Sequence, residues 1–158
     1  MSQSYDDLIS EALSRVREIF PWDLNERLNS QNEVLLIDVR ERSEFAELNI
    51  PHSINVPRGI LEQSCEWNYD ETLPELARSR EQDIVVICRS GKRSVLAADV
   101  MLKMGFTKVI SLKLGVKGWN DSELPIQDGE GKLLNPDQGD DLLAPHLRKE
   151  QRAPHSLG

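Results

Sequence analysis

Asp83-Ile-Val-Val-Ile-Cys88-Arg-Ser-Gly-Lys-Arg93-Ser94-Val-Leu-Ala-Ala reads as a strand, a short loop and a helix in immediate succession. Ile84 to Ile87 is an unbroken β-branched run, the pattern of a parallel strand covered on both faces. Ser94 stands where an N-cap belongs, and strong helix formers fill Val95 to Met104. Cys88 is therefore expected at the carboxyl end of a strand, facing the N–H groups of a tight loop and the positive end of a helix. Arg89, Lys92 and Arg93 surround it. Each feature favours a thiolate over a thiol, and the thiolate is the nucleophile. A buried structural cysteine would require neither the glycine turn at Gly91 nor three cations.

Four residues separate Cys88 from Arg93. Cysteine phosphatases use a loop of the same logic that is one residue longer and cradles a tetrahedral phosphate. The shorter ring suits a single extra sulfur on the cysteine. Cys88-Arg-Ser-Gly-Lys-Arg93 resembles the active-site loop of the rhodanese sulfurtransferases, in which the cysteine takes a sulfane sulfur and holds it as a persulfide. Three further segments resemble the family in order and spacing. Val34-Leu-Leu-Ile-Asp38-Val-Arg40-Glu-Arg-Ser-Glu44-Phe45 matches a strand ending in Asp-Val-Arg followed by a helix with an acidic-aromatic pair. Ile50 to Pro57 matches a strand with an Asn-hydrophobic-Pro ending, and Leu114-Gly115-Val-Lys-Gly118-Trp119 the closing Gly-x-x-Gly-Trp element. The chain departs from the usual pattern at Asn49, where histidine is frequent, and at His52 and Leu114, where glycine is frequent.

The resemblance covers about residues 20 to 126 and implies an α/β rhodanese-like fold, a central parallel sheet flanked by helices. It implies Cys88 as the catalytic residue and Arg89, Ser90, Gly91, Lys92, Arg93 and Ser94 as the substrate-binding loop. Asp38 and Arg40 would be structural hydrogen-bonding groups, and Arg58 is a candidate for the pocket rim. The cationic loop favours thiosulfate as donor, with cyanide, a thiol or a sulfur-carrier protein as acceptor. Neither a metal nor an organic cofactor is implied.

Composition bounds the alternatives. The 158 residues carry 19 basic and 27 acidic side chains, a net charge of −8 that argues against nucleic acid and membrane surfaces as partners. Against that background the loop cations form a local positive spot able to draw a small dianion. Hydrophobic content of 39% suits one globular α/β domain, and no apolar run has the length of a membrane span. The polar, acidic N-terminus does not read as a signal peptide, and two cysteines, Cys65 and Cys88, form no disulfide framework. A reducing cytoplasm is the expected location. His52, His146 and His155 are scattered and offer no metal-ligand spacing.

Residues 1–20 are expected to hold an amphipathic helix over 5–20, with Ile9, Leu13, Val16 and Phe20 at helical spacing. It would pack on the domain or on a second copy, which leaves a homodimer open. Phe20-Pro21 breaks it, and a short helix follows over 22–28. The resemblance implies that residues 21–126 form a rhodanese-like domain. Within it strands are expected over 34–38, 54–56, 84–87 and 108–112, and helices over 71–80 and 94–104, the latter with Asp99 and Lys103 outward. Residues 127–158 are turn-rich and read as a polar C-terminal tail with little core of its own. Cys65 reads as a core thiol, and Trp22, Trp67 and Trp119 as core or rim packing. The function expected is transfer of a sulfane sulfur from thiosulfate through a Cys88 persulfide. Two alternatives come from other classes: a non-catalytic rhodanese-like binding module, and a cysteine phosphatase or arsenate reductase.

Overall fold

A computed structural model describes residues 1–30 and 33–154. Along the chain come α1 (Tyr5–Leu13), β1 (Glu18–Ile19), α2 (Pro21–Asn29), β2 (Leu35–Asp38), α3 (Arg42–Glu47) and β3 (Ile54–Asn55). A single 3-10 turn at Arg58–Ile60 leads to α4 (Leu61–Ser64), α5 (Pro74–Ala77), β4 (Ile84–Ile87), α6 (Arg93–Lys103) and β5 (Val109–Leu112). The last elements are α7 (Gly115–Asp121), β6 (Ile126–Gln127), β7 (Leu133–Leu134) and α8 (Pro136–Leu143), before a 3-10 turn at Lys149–Gln151. Five strands form one parallel sheet in the order β1-β5-β4-β2-β3. This is the expected α/β architecture.

The strand pleat divides the core in two. Ile37, Val39, Ile84, Val86, Cys88 and Val109 face one side, where α1, α4, α5 and α6 supply Ile9, Leu61, Leu76 and Met101. Leu36, Val85, Ile87 and Leu112 face the other, against Leu24 of α2, Trp119 of α7 and Leu143 of α8. All four β4 residues are buried, as a central strand with two covered faces requires.

The first helix is shorter than its spacing suggests. A capping box between Ser4 and Asp7 starts it, but it ends at Leu13. The edge of β5 needs a partner, and the chain supplies it: Ser111 N–H donates to Arg17 O and Lys113 N–H to Ile19 O. Phe20, held extended before Pro21, then sets the turn into α2. Leu13 and Phe20 consequently lie exposed while Ile9 and Val16 are buried. The helix expected over 71–80 shrinks to one turn. Pro74 can only open a helix, and the Arg80 guanidinium takes the Ala77 carbonyl that a longer helix would have used. Helix α6 begins at Arg93 with Lys92 as N-cap, so Ser94 lies inside its first turn. Asp99 does not point to solvent. It is buried, and Arg15, two residues past the end of α1, donates to both its oxygens at 2.7 and 2.9 Å.

The segment after residue 126 has structure and core contacts of its own. Strands β6 and β7 form an antiparallel hairpin, and Gln127 bridges to Asn49 through both backbone and side-chain hydrogen bonds. Helix α8, capped by Asn135 with Gln138, packs on α7 and buries Leu143. His155 and the end of the expected tail lie outside the described residues.

Candidate active site

Cys88 follows β4 at the carboxyl edge of the sheet and is fully buried. Its Sγ accepts a hydrogen bond from the Gly91 N–H at 3.1 Å and lies 3.3 Å from Ser94 Oγ. Ser94 Oγ is in turn 2.7 Å from Ser111 Oγ, so a buried hydroxyl pair leads from the sulfur into the core. Ser94 therefore serves the cysteine rather than the helix end. Gly91 turns at φ +95°, a conformation that favours glycine, and brings its N–H onto the sulfur. Among the described residues it is the backbone donor to Sγ, one N–H where the sequence suggested several.

The loop is gripped from behind by α7. Val116 N–H donates to Cys88 O and Lys117 N–H to Arg89 O, each at 2.9 Å. This approach needs Gly115: a Cβ there would lie 2.4 Å from Cys88 O and 2.5 Å from the Arg89 carbonyl. Leu114 precedes it at φ +69° and His52 stands at φ +72°, so both positions where glycine is frequent keep the left-handed backbone without glycine.

Each loop cation has a partner. Arg93 makes a bidentate pair with Glu44 of α3, both contacts at 2.8 Å. That pair holds the Glu44 carboxyl below its ordinary range and pushes Arg93 further up. Lys92 Nζ is 3.3 Å from Asp6 and 5.8 Å from the centroid of the Tyr5 ring. Arg89 donates to the Leu143 carbonyl of α8. Ser90 is exposed at the crest of the loop. Arg58 stands on the 3-10 turn after β3, where its guanidinium donates to Glu62 Oε1 at 2.8 Å. A cleft of about 230 Å³ opens beside Arg89, with Arg40, Glu44 and His146 in its wall. A larger one of about 730 Å³, lined by Asp83 and Lys108, lies at the opposite edge of the sheet, where β4 and β5 begin.

Asp38 and Arg40 are both buried and face each other through three side-chain contacts of 2.8 to 3.1 Å. Arg40 also donates to Leu48 O at 2.8 Å, and Asn55 Nδ2 donates to the carbonyls of Asp38 and Arg40 at 3.0 Å each. Asn55 thus ties the ends of β2 and β3 together beside β4, where Val39 N–H donates to Ile87 O next to the cysteine. Cys65 is buried in the same core layer as Cys88, and burial pushes its thiol up to about 12, so it remains a neutral thiol.

Glu44, Ser111, Tyr5 and Asp6 escaped sequence reasoning as members of this site. Glu44 belongs to a quoted motif, but its pairing with Arg93 spans 49 positions and leaves no local signature. Ser111 had a faint one, as a serine within an otherwise apolar strand.

The Rhodanese-like domain model matches residues 21–122. A sulfurtransferase of Allochromatium vinosum is 32% identical over 116 residues, spanning 73% of this chain and 99% of that one. Among solved structures, a rhodanese-related protein of Thermoplasma volcanium superposes with TM-score 0.58 and 25% identity, over 70% of this chain and 97% of that one. A protein of unknown function from Rhodopseudomonas palustris, described as a possible tyrosine phosphatase, superposes with TM-score 0.73 and 26% identity, over 80% and 96% of the two chains. No helix among the described residues is long and apolar enough to cross a membrane.

Proposed function

Because the chain belongs to the rhodanese-like domain family, a family of sulfurtransferases and sulfur carriers, we propose that it moves a sulfane sulfur from thiosulfate to a thiophilic acceptor through a Cys88 persulfide. The Cys88 thiolate attacks the outer sulfur of thiosulfate. A sulfur–sulfur bond forms on the protein as the one in the donor breaks, and sulfite leaves with the electron pair. Charge balances, since a thiolate and a dianion become a persulfide anion and a dianion. Cyanide or a thiolate then takes the outer sulfur and returns Cys88 to a thiolate, which makes the scheme ping-pong. No metal or organic cofactor takes part in either step.

The observation that carries the reading is the Gly91 N–H aimed at Cys88 Sγ from a loop gripped at both of its first carbonyls. A donor already oriented toward negative charge on sulfur costs no reorganisation when that charge is passed outward to the persulfide. Lys92 and Arg93 would exchange part of their pairing with Asp6 and Glu44 for the sulfonate oxygens of the donor. The free thiols Cys65 and Cys88 suit the reducing cytoplasm. Intact-mass spectrometry of the reduced protein after thiosulfate treatment tests the proposal. Wild type should gain one sulfur, released by cyanide, while Cys88→Ala gains none. No gain on wild type would refute thiosulfate as donor.

A further inference from the structure

The first turn of α1 meets the cysteine loop at its mouth. Tyr5 lies half-exposed with its ring beside Lys92 Nζ at 5.8 Å, and Asp6 reaches the same ammonium at 3.3 Å. Helix α1 cannot drift from this position freely. Ile9 and Ala12 are buried in the core layer that contains Cys88, and Arg15 is bound to Asp99 of α6. The Tyr5 phenol is held above its ordinary range, first by partial burial and then by the charge of Cys88, with Arg93 and Lys92 opposing. Its ring thus stands beside Lys92, on the same loop as Cys88 and Arg93. Residues 5 and 6 precede the stretch matched by the family model, which begins at residue 21.

We propose that Tyr5 and Asp6 are specificity-determining residues of the sulfur-donor half-reaction: the Tyr5 hydroxyl hydrogen-bonds the sulfonate of an oxyanion donor beside Lys92, and Asp6 competes with that donor for the ammonium. This rests on the sulfurtransferase reading. A phenol O–H supplies a neutral donor to a sulfonate oxygen in the donor complex and to the sulfite that departs, without adding charge to the site. Asp6 and the sulfonate bind the same cation, so the carboxylate lowers affinity most for dianions, less for singly charged anions, and leaves uncharged donors unaffected.

The test separates the two half-reactions. Persulfide formation from thiosulfate, followed by quenched-flow intact mass, gives the donor step; discharge of the isolated persulfide by cyanide gives the acceptor step. Tyr5→Phe keeps the ring over Lys92 and removes only the hydroxyl. It should slow the thiosulfate step about tenfold, the loss of one hydrogen bond to a charged group, and leave cyanide discharge unchanged. Asp6→Asn should speed the thiosulfate step about threefold at low salt, with the gain vanishing at high salt. Equal thiosulfate rates in wild type and Tyr5→Phe would overturn the proposal while leaving the sulfurtransferase reading intact. Equal slowing of both half-reactions would also overturn it, because a structural role predicts that. If wild type gains no sulfur from thiosulfate, the donor reading falls and this proposal with it.

Discussion

Replacing Gly115 with alanine should disorganise the cysteine loop without touching a side chain of the site. Two costs arise and they can be worked separately. At φ +60° an alanine pays the left-handed penalty of about 1–2 kcal/mol. Its Cβ would also fall 2.4–2.5 Å from Cys88 O and the Arg89 carbonyl, backbone atoms that cannot swing away as a side chain would. Overpacking of that kind adds about 1–3 kcal/mol. Gly131 provides the control, since it stands at φ +86° with nothing within 4 Å of a Cβ. Gly131→Ala carries the backbone penalty alone, and the entropic gain of any Gly→Ala change in the unfolded chain cancels between the two. Urea unfolding should therefore place Gly115→Ala about 1–3 kcal/mol below Gly131→Ala, with unchanged slope. The contact also predicts function: the Val116 and Lys117 N–H bonds to the loop lengthen, the Gly91 N–H loses its aim, and persulfide yield falls in Gly115→Ala but not in Gly131→Ala. Equal stabilities for the two variants would refute the claim that close approach, rather than backbone sign, demands glycine at 115.

Arg40→Ala should cost about 3–5 kcal/mol by chemical denaturation, because Asp38 would be left charged and buried without its guanidinium; an Asp38→Asn/Arg40→Met pair should recover much of that loss. Leu114→Gly should stabilise the protein by about 0.5–1 kcal/mol, as release of a left-handed leucine outweighs the entropy of the added glycine. Glu44 and Asp99 are both held below the ordinary carboxylate range, first by hydrogen bonds from Arg93 and Arg15 respectively. Their contribution to stability is complete above the unfolded values near about pH 4 and is lost as pH falls through the folded ones. Acid titration monitored by circular dichroism should show a shallower loss below about pH 4 in Glu44→Gln/Asp99→Asn than in wild type. An aryl phosphate should not be hydrolysed by the wild type at any rate that depends on Cys88; Cys88-dependent release of phosphate would favour the phosphatase alternative.

Where short-range chemistry decides the outcome, the chain could be read directly. The apolar run of β4, the turn at Gly91 and the helix-forming run after Arg93 each act within a few residues, and they place Cys88 at a strand end with no knowledge of the rest. The Asp38–Arg40 pair was legible for the same reason, being two positions apart in a segment that matches the family. What could not be read depends on meetings between distant segments. Val16 and Phe20 continue a helical spacing, yet a free strand edge on β5 claims residues 17 to 19. Asp99 looked like a solvent-facing helix charge until the turn after α1 brought Arg15 over it. The loop cations were visible as charges, but not as charges already matched by Asp6, Glu44 and the Leu143 carbonyl.

Two of those partners, Asp6 and Leu143, belong to segments on either side of residues 21–122. Trimming the protein to residues 21–122 would thus alter the surroundings of Cys88, releasing Lys92 and Arg89 together and making the loop more cationic. The same flanks carry Ile9, Ala12 and Val16 on one side and Leu143 on the other, so the segments that set the charge around Cys88 also close the hydrophobic core.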